Sequence, residues 1–159
     1  MALAPLTNTL LQRAAEQEKA VAPSVRYQPR GGAVTQLATY FAVDDASRAP
    51  VQFQVAVPQA PEVRMTVTAT PRSWTWDFGD RSPSLSTTDP GGDYPDGRVT
   101  HTYRQRGEVT VTTTSTSSVS WTLVSPYGGL PGTTLAQPAT SPATTTALRV
   151  REARAQLTH

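Results

Sequence analysis

His101 is the residue of this chain best suited to acid–base chemistry, because an imidazole changes its charge near neutral pH. Asp77 or Asp80 could orient the ring, and the many hydroxyl side chains could supply a nucleophile. The sequence has no Gly-x-Ser-x-Gly turn to expose a serine, and its other histidine is His159. The alternative is a histidine that forms hydrogen bonds within the fold. It is favoured because no motif fills the other roles of a catalytic site, so we predict no catalytic residue and no enzymatic activity.

Three aspartates could bind calcium, because Asp89, Asp93 and Asp96 lie in a glycine-containing stretch and offer carboxylate oxygens. Their spacing does not fit the EF-hand pattern, and no bidentate glutamate follows. The chain has no cysteine, so a zinc site would need histidine and carboxylates alone. Solvated aspartates in turns are the commoner outcome, and we predict no metal and no cofactor.

Exposed aromatic residues are the third group that could bind a ligand. Tyr94, Tyr127 and Trp121 could form a platform for a sugar or a protein. The alternative is that Trp121 belongs to a core strand while the two tyrosines anchor long loops. This alternative is favoured by how often these residue types are buried.

The charge of the chain argues against a nucleic-acid partner, and its hydropathy argues against a membrane span. A formal net charge of +2 gives little long-range attraction for nucleic acid, and no nucleic-acid-binding module is recognisable. Arg149, Arg151 and Arg154 could bind an anionic surface, but alternating arginines on an edge strand also deter unwanted strand pairing, which we favour. No stretch approaches the roughly 20 apolar residues that cross a bilayer. We predict no nucleic-acid partner and no membrane span.

The elements that must position these residues are strands. Hydrophobic residues make up 37% of the 159 residues, enough for one domain with a core. Apolar and polar residues alternate with the two-residue period of half-buried strands in several stretches, including 51–57, 63–67, 74–78 and 109–111. A strand with imperfect alternation, which includes Tyr40, is predicted over 33–43, and another over 120–124. Turn-forming residues dominate 81–97 and 125–145, which predicts long loops there. The pattern indicates an all-β sandwich of about seven or eight strands.

Residues 1–23 have a different, helical periodicity. Thr9 and Gln12 could form a capping box, and Pro23 would stop the helix. The apolar residues that share one face of this helix are Leu10, Leu11, Ala14, Ala15 and Val21. We predict an N-terminal helical arm over 1–23, a linker over 24–32 and a sandwich over 33–159. The arm either lies on its own domain, frays, or docks on a neighbouring subunit.

The motif WTWDFGD at residues 74–80 is the most specific feature of the sequence. The alternation of Trp74, Trp76 and Phe78 would bury one face of a strand. Gly79 permits a backbone turn that a side chain would obstruct. Asp80 can accept hydrogen bonds from the amides of that turn.

Further along the chain, His101 and Tyr103 form an H-x-Y element, and Gly107 is followed by the alternating Val109 and Val111. With the WTWDFGD motif these residues resemble the PKD domain, an immunoglobulin-like β-sandwich found in surface and secreted proteins, those of actinobacteria among them. The resemblance implies that these residues define the fold and that the domain has no catalytic activity. We further predict that the hydroxyl of Tyr103 bonds to backbone near the turn, like a tyrosine corner.

The resemblance implies a non-catalytic structural or interaction module of a cell-surface or secreted protein. Two alternatives stay open: a subunit of a regular assembly, such as a phage capsid decoration protein or a surface filament, and a carbohydrate- or protein-binding accessory of a secreted hydrolase. We expect a protein partner, through self-association or a larger assembly, with polysaccharide as a further candidate. The expected location is extracellular or at the cell surface after signal removal, with the virion as the alternative.

Overall fold

The computed structural model describes residues 22–56, 62–126, 128–130 and 139–153, which form two packed β-sheets. The strands are β1 (Val25–Gln28), β2 (Ala33–Val34), β3 (Ala38–Val43), β4 (Val51–Ala56), β5 (Arg64–Asp77), β6 (Leu85–Thr87), β7 (Thr100–Thr102), β8 (Gly107–Ser125), β9 (Gly128–Leu130), β10 (Ala139–Thr140) and β11 (Thr144–Arg151). A single 3-10 turn over Asp45–Ser47 is the one helical element that the described residues contain. No helix of the described part is both long and apolar enough to cross a membrane.

The smaller sheet has the strand order β1-β3-β7, and the larger one has the order β2-β11-β8-β5-β4. Three short strands join the larger sheet off this path, with β6 on β5 and both β9 and β10 on β8. All pairings are antiparallel except that of β2 with β11. This architecture confirms the predicted β-sandwich.

Aromatic side chains from both sheets form the centre of the core. The ring of Phe41 in β3 lies 5.6 Å from that of Trp76 in β5 and 5.2 Å from that of Phe78. The other buried members of this cluster are Ala33, Val43, Trp74, Val99, Tyr103, Val111, Leu148 and Val150. Burial of so much apolar surface, at roughly 25 cal/mol per Å², is what holds the two sheets together without disulfides.

Two pairs of predicted strands are continuous in the structure. The stretches 63–67 and 74–78 both belong to β5, which carries a bulge between Pro71 and Ser73. The extra residue shifts the buried positions from odd to even numbers, so Met65 and Trp74 share one face. Likewise, 109–111 and 120–124 are parts of the 19-residue β8.

The chain crosses between the sheets just after β2. The predicted strand over 33–43 is in fact β2 in the larger sheet and β3 in the smaller one. Gln36 adopts a positive φ of 68°, and the amide of Leu37 donates to the carbonyl of Val34, which makes the turn between them. The tyrosine at position 40 is thereby placed on the outer side of β3.

Three predicted connections also contain strands. Residues 25–28 of the predicted linker form β1, because they pair along their whole length with β3, from Val25↔Val43 to Gln28↔Tyr40. The predicted loops at 81–97 and 125–145 contain β6, and β9 with β10, respectively. The buried Pro23 accepts a hydrogen bond from Thr144, so the chain joins the sandwich before residue 24. Positions 1–21 of the predicted helical arm lie outside the described residues, and the arm stays a prediction.

Candidate functional site

The WTWDFGD motif ends β5 in a turn that only glycine fits. Gly79 has a φ of +79°, and its amide donates to the carboxylate of Asp77 at 3.0 Å. A Cβ at this position would lie 2.4 Å from the carbonyl oxygen of Thr110, closer than any real contact. Both the conformation and the packing against β8 therefore require glycine.

Asp80 lies in the turn after β5 and directs its carboxylate towards His101 of β7. The Nε2 atom of His101 lies 2.6 Å from Oδ2 of Asp80, while Oδ1 accepts hydrogen bonds from the amide and hydroxyl of Ser82. Partial burial alone would raise the pKa of Asp80. The hydrogen bonds from Ser82 and His101 outweigh this effect and hold the pKa below its ordinary value.

The imidazole of His101 is packed between two rings. It stacks on Phe78 with centroids 4.3 Å apart and planes at 4°, and it meets Tyr103 edge-on at 4.7 Å. The buried hydroxyl of Tyr103 donates to the carbonyl oxygen of Phe78 at 2.9 Å, which confirms its predicted backbone partner. Burial, with the nearby carboxylates of Asp80 and Asp77, raises the pKa of Tyr103 well above its usual range.

A second cluster lies on the outer side of the smaller sheet. Tyr94 is 71% exposed and packs edge-on against Tyr40, with ring centroids 5.5 Å apart and planes at 87°. Both rings line an open groove of about 520 Å³, which we call the Tyr94 groove. Its lining residues are Gln28, Pro29, Arg30, Leu37, Ala38, Tyr40 and Tyr94.

The loop that carries Tyr94 is fixed to the smaller sheet. The carbonyl of Pro90 accepts from the amide of Val43, and Gly91 forms a bridge with Ala42. The amide of Tyr94 itself donates to the side-chain oxygen of Gln28 at 2.9 Å. The exposed ring is therefore held by backbone contacts before any ligand arrives.

A family model described as PKD domain matches residues 42–125, which is more than half of the chain. The chain belongs to the PKD family. PKD domains are non-catalytic, immunoglobulin-like structural or interaction modules that occur in surface and secreted proteins. Among curated proteins no match to this chain is found.

The Asp80–His101 pair of this PKD domain has the wrong order for nucleophilic catalysis. In a serine triad the histidine stands between the serine and the carboxylate and takes the serine proton. Here the carboxylate of Asp80 stands in the middle, and the hydroxyl of Ser82 donates to it. The pair ties the turn after β5 to β7, which is a structural role.

The predicted fold-defining residues come together at this end of the PKD domain, with one exception. Phe78, Gly79, Asp80, His101 and Tyr103 form the connected cluster described above. Trp74 and Trp76 lie in the core behind it. Gly107 is separate, because it begins β8 and pairs with Val150 of β11.

Two of the three aspartates of the 81–97 loop already accept hydrogen bonds within the domain. Oδ1 of Asp89 accepts from the amide of Gly91, and Oδ1 of Asp93 accepts from Arg26 at 3.1 Å. Within the described residues there is no group of three potential metal ligands. The absence of a metal and of a cofactor stays a prediction.

Of the three aromatic residues considered for a platform, the structure places Tyr94 in an exposed position. Trp121 lies half-buried in β8 opposite Val67, on the larger sheet, and Tyr127 lies outside the described residues. The ring beside Tyr94 is that of Tyr40, which was predicted only as part of a strand. The available signal was its place beside the apolar Phe41 in an alternating strand, which turns its ring away from the core.

Replacing Tyr103 with phenylalanine should lower the free energy of unfolding by about 1 kcal/mol. The ring and its packing on His101 would stay, but the carbonyl of Phe78 would lose its hydrogen-bond donor. Denaturant unfolding of both proteins measures the difference. An unchanged midpoint would show that the hydroxyl adds nothing to stability.

Replacing Asp80 with asparagine should remove a pH-dependent part of the stability. Because the pKa of Asp80 is lowered in the folded state, its contribution is complete above the ordinary value of about 4 and is lost as pH falls through the lower folded value. The unfolding temperatures of the two proteins should therefore differ at about pH 6 and converge at about pH 2. A constant difference over that range would contradict the role of the charge.

Proposed function

We propose that this PKD domain is a non-catalytic interaction module of a cell-surface or secreted protein, and that it holds an extended segment of a partner protein in the Tyr94 groove. The observation that carries this proposal is the exposed Tyr94 ring, fixed beside Tyr40 over an apolar groove. Contiguous exposed apolar patches with polar residues at their rim commonly mark ligand-binding grooves or protein interfaces. Aromatic residues at such positions dominate the energy of many interfaces.

The shape and chemistry of the groove favour a protein over a polysaccharide. Its walls are mostly apolar, with Pro29, Leu37 and two tyrosine rings at right angles, and with Gln28 and Arg30 as the polar residues. Proline-rich segments in an extended helix dock into aromatic-lined grooves of this kind and lose little conformational entropy.

Charges on either side of Tyr94 would orient the bound segment. Arg30 lines the Tyr94 groove itself, whereas a polar depression on the other side of the tyrosine carries a net negative charge. Its charged lining residues are Asp89, Asp93, Asp96 and Arg98, and Asp93 also pairs with Arg26. A partner segment with a basic residue beyond Tyr94 would face these carboxylates. This arrangement supports arginine-bearing, proline-rich sequences as the class of ligand.

Fluorescence anisotropy with three labelled probes tests the proposal: a proline-rich peptide with arginine, the same peptide without arginine, and a soluble chitin oligosaccharide. The arginine-bearing peptide should bind best. Tyr94→Ala should weaken it at least tenfold, which corresponds to about 1.4 kcal/mol. Val124→Ala removes an apolar, 56% exposed side chain from β8 and should leave binding unchanged.

The other outcomes contradict the proposal in distinct ways. Binding of the oligosaccharide alone, lost on Tyr94→Ala, would assign the groove to the carbohydrate-binding alternative. Peptide binding that Tyr94→Ala does not change would place the partner site elsewhere on the surface. The assembly alternative has separate support from β4, which lies at the edge of the larger sheet.

A further inference from the structure

β4 is an edge strand of the larger sheet. It pairs with β5 on one side in an unbroken register, from Val51↔Ala69 to Ala56↔Arg64. On its other side, none of the residues that the structure describes forms a strand pair with it. With respect to the described residues, the backbone groups on that side have no strand partner, as at any sheet edge.

This edge lacks the features that usually prevent association. The six residues VQFQVA contain no charge and no proline, and the pairing with β5 shows no bulge along them. At the opposite side of the same sheet, β11 carries Arg149 and Arg151, and β2 pairs with its last two residues. In the smaller sheet, the edge strands β1 and β7 have only four and three residues, and β1 contains Arg26.

The sequence of β4 also matches itself in reverse. Val51-Gln52-Phe53-Gln54-Val55 reads identically in both directions, with Phe53 at its centre. In an antiparallel pair of two such strands around a twofold axis, each residue stands opposite its own type. Valine faces valine, phenylalanine faces phenylalanine, and Gln52 faces Gln54 of the second copy. Apolar residues thus oppose apolar ones and amides oppose amides across the pair.

We propose that two copies of this chain associate through β4, antiparallel and centred on Phe53, so that the two larger sheets become one continuous sheet. The interface is isologous, as a twofold dimer requires. It uses the larger sheet and goes beyond the proposed role of the Tyr94 groove, which lies on the smaller one. One strand pair buries less surface than the roughly 1,200–2,000 Å² of a stable interface, so the dimer depends on protein concentration.

Cross-linking tests the register, and the cysteine-free chain makes the result simple to read. Gln52→Cys and Gln54→Cys each introduce one thiol at an exposed position of β4. Directly opposed Cα atoms, about 4.5–5.5 Å apart, permit a disulfide, whereas diagonal positions at about 7–8 Å do not. Under mild oxidation, a mixture of the two variants should give a disulfide-linked dimer of one variant with the other. Each variant alone should stay largely uncrosslinked.

Charge substitutions test the same pairing in solution by sedimentation. In Gln52→Lys with Gln54→Lys, like charges oppose each other across the twofold axis, and dimerisation should weaken at least tenfold. In Gln52→Lys with Gln54→Glu, opposite charges face each other, and dimerisation should equal or exceed that of the unmodified chain. Both variants alter only exposed positions, and circular dichroism checks that the sandwich stays folded.

Three results would overturn the proposal. The first is an unmodified chain that sediments as a monomer up to a millimolar concentration. The second is efficient cross-linking of Gln52→Cys with itself, which indicates a parallel or shifted pair. The third is equal association of the two charge variants, which places any contact between copies away from β4.

Discussion

Replacing Trp76 with alanine should lower the free energy of unfolding by about 3–5 kcal/mol, the usual cost of removing a large aromatic side chain from a core. Trp76 has no exposed surface, and its ring packs against Phe41 of the other sheet. Its indole nitrogen has no hydrogen-bond partner among the residues that the structure describes, so the loss is one of packing. Denaturant unfolding measures this loss of stability as a lower midpoint concentration of denaturant at an unchanged m value.

Trp121→Ala is the matched control for this experiment. It removes the same side chain from β8, where the residue is only half-buried and lies outside the aromatic core cluster. The loss of stability should therefore be clearly smaller. A loss below about 1 kcal/mol for Trp76→Ala would show that this residue is not part of the core.

Replacing Gly79 with alanine should cost roughly 2–4 kcal/mol, from the left-handed backbone conformation and the contact with Thr110 together. The added Cβ would meet the backbone of β8, which cannot move without disturbing the central strand pair. The unfolding temperature should fall by several degrees. Binding to the Tyr94 groove should be retained wherever the protein stays folded, since the two sites lie on different elements.

Gly31→Ala serves as the control, because no atom lies within 4 Å of a Cβ at that position. It should change the unfolding temperature little. Equal effects of the two substitutions would mean that the turn after β5 accepts a side chain, and that the glycine of the motif is there for another reason.

The strands that were predictable from the sequence are those whose buried side chains are large and apolar. Trp74, Trp76 and Phe78 mark the core face of β5 by type alone. β8 was recognised only at its ends, because its buried middle positions are Thr113, Ser115 and Ser117, which break the apolar alternation. A hydroxyl residue in a strand gives no signal of the face to which it points.

β1 and the bulge in β5 could not be predicted for a different reason. β1 contains Arg26 and Gln28, and its apolar residues are only half-buried, so its strand character comes from pairing with β3. That pairing lies in tertiary structure, which overrides local propensity. The two predicted stretches 63–67 and 74–78 are joined because the bulge lets β5 continue past Pro71.

The candidate site was partly predictable. The His101–Asp80 contact was one of two pairs suggested by residue type, and the structure selects it over the pair with Asp77. The Tyr94 groove was not predictable as a unit, because Gln28, Tyr40 and Tyr94 are distant in sequence. They meet only after β1, β3 and the loop between β6 and β7 assemble. The sequence shows these residues but does not show which of them become neighbours in the fold.

We propose that this PKD domain acts by contact at the Tyr94 groove, whereas the Asp80–His101 pair serves the fold. Amide chemical shifts of the full chain, followed during titration with the arginine-bearing, proline-rich peptide, test this proposal. We expect saturable shifts confined to residues 28–30, 37–40 and 93–95. Saturable shifts centred on Asp80 and His101, or shifts absent from the groove at saturation, would contradict it.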